Sequence, residues 1–453
     1  MRHGSDSPYG RRNDSHCVTK GPLLTKIIVA ATAIYGHVAP MLTISQDLLA
    51  RGHEVVFLTG SAFAADVERS GAAFEALEGA ADIDAAIFAS PDRLAVEGHE
   101  RLEWDLRHYV VGAVADQWRS LQRVLAQPGN GDAVVLLESA FWGAAPGLAG
   151  APGHAPRGYA VVGVVPLTLT SVDLAPFGSG LPPARNDADR TAYAEANAAL
   201  KHGLFARVQE IFVEAMRDAG VRGEVPYFYD AIALLAPHYM QLSIKELSYE
   251  PSDLPSTISF IGTLPAAVTR SELPDWWADV LDADRVVAVS QGTMANLDLT
   301  ELIQPTLDGL DELDVLVVAT TGSEDHVERV PANARIARFV PFADLLPHVD
   351  VLVTNGGFGG TQQALRAGVP MVLAGMSEDK AEGNARTSHT GAAINLATQR
   401  PTSGQVRDAV QTVLDDPSYR DRAQQLQRAF TESDPLETIV TTVANLASVP
   451  MSA

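Results

Sequence analysis

At 453 residues, with 46% apolar and 20% charged side chains, the chain has the length for two or three domains and the balance of a globular protein with a sizeable core. Its formal net charge of −23 argues against nucleic acid or an anionic membrane surface as partner, because polyanions are repelled. A phosphorylated ligand stays open, since helix ends and backbone amides can outweigh the mean field locally.

In chain order, residues 1–24 carry basic residues but no apolar core of signal-peptide length, and read as a disordered tail or an extended start. The one cysteine, Cys17, rules out an intramolecular disulfide framework and fits a reducing, cytoplasmic location. "TKIIVAA" (Thr25–Ala31) reads as a buried first strand, followed by a helix over Met41–Arg51 and a second strand in His53–Gly60. Further strands are predicted in Asp132–Ser139 and Gly158–Leu167, and Pro176–Pro183 reads as a loop. Trp104, Tyr109 and Trp118 lie at helical spacing and read as core.

After Ser256–Gly262, residues 263–279 lose periodicity and read as a linker. A second series of strands follows in Arg285–Thr293, Asp314–Gly322, Ala334–Val340, Asp350–Gly357 and Pro370–Gly375. No apolar run reaches the roughly 18 residues of a membrane span, so no stable membrane insertion is expected. Alternating strands and helices predict an α/β fold with two doubly wound, Rossmann-like domains facing across a cleft, 25–262 and 280–430, with ligands at the carboxyl ends of the strands. A last helix within 431–453 is expected to pack back toward the first domain.

One stretch, "DVLVTNGGFGGTQQALRAGVPMVLAGMSEDKAEGNAR" (Asp350–Arg386), carries most of the chemistry. Its glycines Gly356, Gly357, Gly359 and Gly360 allow a sharp turn and close approach of a ligand to the backbone. A helix is predicted from Thr361 to Ala367, and its free N–H groups and dipole would suit a phosphate. A glycine-rich turn with no ligand has the same composition, and the spacing matches neither the Walker nor the dinucleotide fingerprint. His37, in "GH" after the first strand, is either part of a helix-capping loop or a general base, because an imidazole titrates near neutrality. The acid pairs Asp82/Asp84 and Asp282/Asp284 follow no clear strand and are not read as a metal site.

The order of "YGHVAPMLTISQDLLARGHEVVFLTG", "FIGTLP", "VAVSQGTMAN", "RFVPFADLLPHVDVLVTNGG" and "AGVPMVLAGMSEDKAEGNAR" resembles the nucleotide-sugar-dependent, two-domain (GT-B), metal-independent inverting glycosyltransferases. Within them it is similar to the bacterial enzymes that act on macrolides and other natural products in antibiotic biosynthesis or resistance. The resemblance implies a UDP- or TDP-linked sugar on the C-terminal domain, a hydroxylated small-molecule acceptor on the N-terminal one, and no cofactor or metal. It makes His37 the base and Glu138, in "VVLLESAFWG", the acid that orients it. It assigns the donor to Gly292, Thr293, Phe339, Asn355, Gly356, Gly357, Gly359, Gly360, Thr361, Gln363, Asp379 and Lys380. Asn355, Gln363, Phe339, Phe342 and Lys380 depart from the residues the family usually has there. Phe141, Trp142 and Phe177 are candidates for an apolar acceptor pocket. The alternative is a non-catalytic homologue that binds the donor and serves as partner to another enzyme. The acceptor, the sugar and the oligomeric state, a homodimer included, stay open.

Overall fold

The structure, a computed structural model, describes residues 24–265, 272–292, 298–322 and 327–449. The predicted tail, Leu24 apart, falls outside these residues, as do Cys17, Thr293 and 266–271 of the predicted linker.

Thirteen strands are described: β1 (Lys26–Ala30), β2 (Glu54–Thr59), β3 (Ala73–Ala76), β4 (Val134–Glu138), β5 (Gly158–Gly163), β6 (Tyr239–Gln241), β7 (Ile258–Phe260), β8 (Val286–Ser290), β9 (Leu316–Thr320), β10 (Ala334–Ala337), β11 (Val351–Thr354), β12 (Met371–Leu373) and β13 (Ala393–Asn395). They form two sheets ordered β3-β2-β1-β4-β5-β6-β7 and β10-β9-β8-β11-β12-β13. Every pairing is parallel, so both faces need helical cover, and the strands read as unbroken apolar runs. Alternate residues of β1 serve opposite cores: Ile28 and Ala30 one, Ile27 and Val29 the other.

In each sheet the strand order reverses once, at β1/β4 and at β8/β11. Adjacent connections there leave on opposite faces and open a crevice at the carboxyl ends. His37 and Glu138 lie at the first crevice, and Asn355, Gly356 and Gly357 at the second.

The first helix runs over Tyr35–Ala50, six residues earlier than predicted. Pro40 lies inside it and cannot donate to the Gly36 carbonyl. Gly36 is exposed, so water can take that carbonyl and the helix continues through the proline. His37 therefore sits in the first turn of a helix. The helix Trp277–Asp282 likewise takes up the end of the predicted linker.

The helix Pro435–Ser448 starts where the Asp434 side chain accepts from the Glu437 N–H at 3.0 Å, with Pro435 in the first turn. Ile439, Val443 and Ala447, four apart, line one face and enter the core beneath β1, β2, β4 and β5. The chain thus returns to its N-terminal domain. Among the described residues no helix is long and apolar enough to cross a membrane.

Candidate active site

At the β1/β4 crevice, His37 Nδ1 lies 2.8 Å from Glu138 Oε2. Glu138 ends β4 and has no solvent exposure; the His37 side chain keeps 15%. A buried carboxylate must have its lone pairs filled. Oε1 accepts from the Thr32 N–H at 3.0 Å, and Oε2 also accepts from the Ala140 N–H at 2.7 Å. The Thr32 hydroxyl donates to the Ala140 carbonyl (2.9 Å) and accepts from Gln117 Nε2 (3.2 Å). Gln117 Oε1 in turn accepts from the Gly143 N–H at 2.8 Å. This buried network locks the carboxylate, and the carboxylate locks the ring.

Burial alone would lower the His37 pKa, but the charge and hydrogen bond of Glu138 outweigh it. Asp379 and Glu378 from the other domain add to the effect, and the imidazole is held above its ordinary 6.5. Burial pushes Glu138 up, and His37 with the two backbone N–H groups brings it below its usual range. With Nδ1 engaged by the carboxylate, Nε2 is the atom available to a substrate.

The β8/β11 crevice faces it. The helix expected at Thr361–Ala367 begins at Phe358 with Gly357 as N-cap, so Gly359 and Gly360 lie within its first turn. Gly356 has φ +90°, and a Cβ there would stand 1.6 Å from Asn384 Oδ1. At Gly357 and Gly359 a Cβ would meet nothing within 4 Å. The first glycine is demanded by the fold; the other two border open space at a helix N-terminus, where an anion fits.

Asn355 is 4% exposed, and its Nδ2 donates to the Gln291 carbonyl. That bond ties the end of β11 to the loop after β8, beside Gly292 at φ +78°. Asn384 has no exposure, and its Nδ2 donates to the carbonyls of Asn355 (3.2 Å) and Gly375 (3.1 Å). The Thr361 hydroxyl is spent on the Phe358 carbonyl at 3.0 Å and is nearly buried. Gln363 is half-buried, and the Phe339 ring is 57% exposed at the end of β10. Phe342 packs in the C-terminal core. Asp379 precedes the helix Lys380–His389, and burial raises its carboxyl pKa, with Glu378 adding. Lys380 is buried and paired with Glu378, a residue in the left-handed region at φ +58°.

The acceptor candidates divide. Phe141 has no exposed surface and is a core residue, which corrects its assignment to a pocket wall. Trp142 is 7% exposed; its indole N–H donates to the Ser139 carbonyl at 3.1 Å, and its ring meets Phe228 and Tyr229. Half-buried Phe177 lies 5.7 Å from the Tyr229 ring. Tyr229, which also feels the charges of Glu382 and Asp379, was missed in the sequence reading, although "YFYD" (Tyr227–Asp230) is a dense aromatic signal. Gln117, Gln291 and Asn384 were missed too. The first acid pair has structural uses: Asp82 accepts from Ser61, and Asp84 from the Ala86 N–H.

Comparison with known proteins agrees with the two-sheet fold. Residues 304–446 match the family described as erythromycin biosynthesis protein CIII-like, C-terminal domain. The chain is 40% identical over 439 residues to UDP-glycosyltransferase 2 of Phaeomoniella chlamydospora, covering 93% of this chain and 96% of that protein. It is 34% identical to UDP-glucosyltransferase A1 of Starmerella bombicola, covering 93% and 92%. In fold it is similar to the solved glycotransferase of kitacinnamycin, with a TM-score of 0.71 at 21% identity over 94% of this chain and 99% of that one. The chain belongs to the GT-B nucleotide-sugar glycosyltransferases, enzymes that transfer a sugar to an acceptor.

Proposed function

We propose that this enzyme transfers a hexose, with inversion, from a UDP-sugar to a hydroxyl of a small natural-product acceptor. The observation that carries the reading is the His37–Glu138 pair at one switch point, held within electrostatic reach of Asp379 at the foot of the other domain. His37 Nε2 takes the acceptor proton as the hydroxyl oxygen attacks the anomeric carbon. The bond from that carbon to the phosphate oxygen breaks, and the nucleoside diphosphate leaves with the electron pair. Glu138 holds the imidazolium formed.

The departing charge is met by the free N–H groups at the start of the Phe358–Arg366 helix. Phe339 offers its exposed ring to the base, Asp379 and Lys380 border the sugar, and Trp142, Phe177 and Tyr229 border an apolar acceptor. UDP is chosen over TDP because the relatives at 40% and 34% identity are named for UDP. Calorimetry with UDP and TDP, followed by a screen of UDP-sugars against phenolic and macrolide hydroxyls with product detection by mass, tests the reading. Tighter binding of TDP would reassign the nucleotide. A β-linked product from an α-linked donor, read by NMR coupling constants, is expected; retention at that carbon would overturn the mechanism.

A further inference from the structure

After β5 the chain does not return directly to a helix: residues 164–186 form a long segment before the helix Asp187–His202. This segment carries Phe177 and lies across the helix Lys380–His389 of the other domain. Arg386 Nη2 donates to the Leu167 carbonyl at 3.1 Å, and Glu382 Oε2 accepts from the Gly178 N–H at 3.2 Å. Arg386 and Glu382 are themselves paired at 2.8 Å, both buried. The guanidinium also stands over the rings of Phe177 (5.9 Å) and Tyr249 (5.4 Å). Close approach is built in along this line: a Cβ at Gly180 would lie 3.4 Å from the Ala381 carbonyl oxygen, and one at Gly383 would lie 3.7 Å from Pro166.

The same helix serves the other site with its other face. Lys380 and Asn384 are four apart and lie roughly opposite Glu382 and Arg386 at about 100° per residue. Lys380 points to Glu378, and Asn384 ties the carbonyls that end β11 and β12 and abuts Gly356. One rigid helix thus has the glycine turn on one side and the Phe177 segment on the other. A buried ion pair is weak as a source of stability but demanding in geometry, since either partner alone would be stranded.

We propose that Arg386 and Glu382 are positioning residues that strap the Phe177 segment to the helix bordering the donor, so that the acceptor wall is set by the donor half and tightens when nucleotide binds. This rests on the functional reading above for the identity of the two sites. The strap itself is independent of it.

Hydrogen exchange of the 177–180 amides, with and without saturating UDP, tests both parts. Arg386→Gln and the doubly neutral Glu382→Gln/Arg386→Gln are compared with wild type; the second leaves neither charge stranded if the first folds poorly. Without ligand the variants should exchange these amides at least about tenfold faster, with exchange in β1 and β4 unchanged. UDP should slow the segment in wild type but not in the variants, with UDP affinity by calorimetry within about threefold. Arg386→Lys keeps the ion pair while losing the fork geometry, and should fall between. Unchanged ligand-free exchange overturns the strap whatever UDP does. UDP that binds wild type without slowing the segment overturns the coupling. If UDP does not bind wild type at all, the donor assignment fails instead, and ligand-free exchange alone decides the strap.

Discussion

His37 Nδ1 and Glu138 Oε2, 101 residues apart in the chain, stand 2.8 Å apart at the reversal point of the N-terminal sheet. The pair sits where open α/β sheets expose side chains at their strand ends, and its acid has no solvent exposure. Because the carboxylate is fixed by two backbone N–H groups and engages Nδ1, Nε2 is the ring nitrogen left for a substrate.

Replacing His37 by Ala removes the base and should cut transfer to an ordinary hydroxyl by about 10²-fold or more. Nucleotide affinity should be unchanged, since the ring is in the other domain. Single-turnover rates with a donor–acceptor pair found by screening would show this. Near wild-type rates with an alkyl alcohol would remove His37 from the chemistry.

The pH dependence carries a definite sign. His37 must be neutral to accept a proton, and its pKa is held above 6.5, so kcat/KM should rise with pH through a point above 6.5. In Glu138→Gln the raising charge is gone, and the acidic limb should move to lower pH while the plateau falls. The neutral side chain must also turn an NH₂ toward Thr32 N–H or Ala140 N–H, costing about 1–3 kcal/mol of stability. A pH profile that does not move on this substitution would separate Glu138 from the base.

Asn355→Asp replaces a buried N–H donor to the Gln291 carbonyl by a carboxylate oxygen. Two acceptors would then face each other, and thermal unfolding should show a loss of about 1–3 kcal/mol, with weaker nucleotide binding following from the displaced Gly292 loop. A stable variant with wild-type nucleotide affinity would show that the amide does not organise this turn.

Excess chelator should leave transfer intact, because the reading assigns the diphosphate to helix N–H groups. Loss of activity on chelation, restored by magnesium or manganese, would require a different donor site.

Much of this was legible in the chain, for physical reasons. Buried parallel strands must be continuous apolar runs, so β1, β4, β8 and β11 stood out, and Glu138 showed itself as an acid ending such a run. What was not legible depends on partners distant in sequence. Phe141 looked like a loop aromatic but folds under the sheet; Asn384 matters through carbonyls 29 and 9 residues away. The start of the Phe358–Arg366 helix was misplaced because Gly359 and Gly360 have poor intrinsic helix propensity, which the surrounding structure overrides.

Those glycines permit a last, two-sided test. Gly356 is at φ +90° with Asn384 Oδ1 where a Cβ would go, and Asn384 cannot retreat because its amide holds two carbonyls and its side chain is fully buried. Gly356→Ala should therefore destabilise the protein by about 1–3 kcal/mol or more, through strain and overpacking together. Gly359 is in a helix, with nothing within 4 Å of a would-be Cβ. There Ala should stabilise by up to about 1 kcal/mol, since it is the better helix former. If the diphosphate lies on this helix end, the same methyl group occupies its space, and UDP affinity should drop even as the melting temperature rises. Thermal melts and calorimetric titration of UDP on the two variants give four numbers. A Gly359→Ala protein that is both more stable and undiminished in UDP affinity would mean that the open space beside the glycines is not where the diphosphate sits.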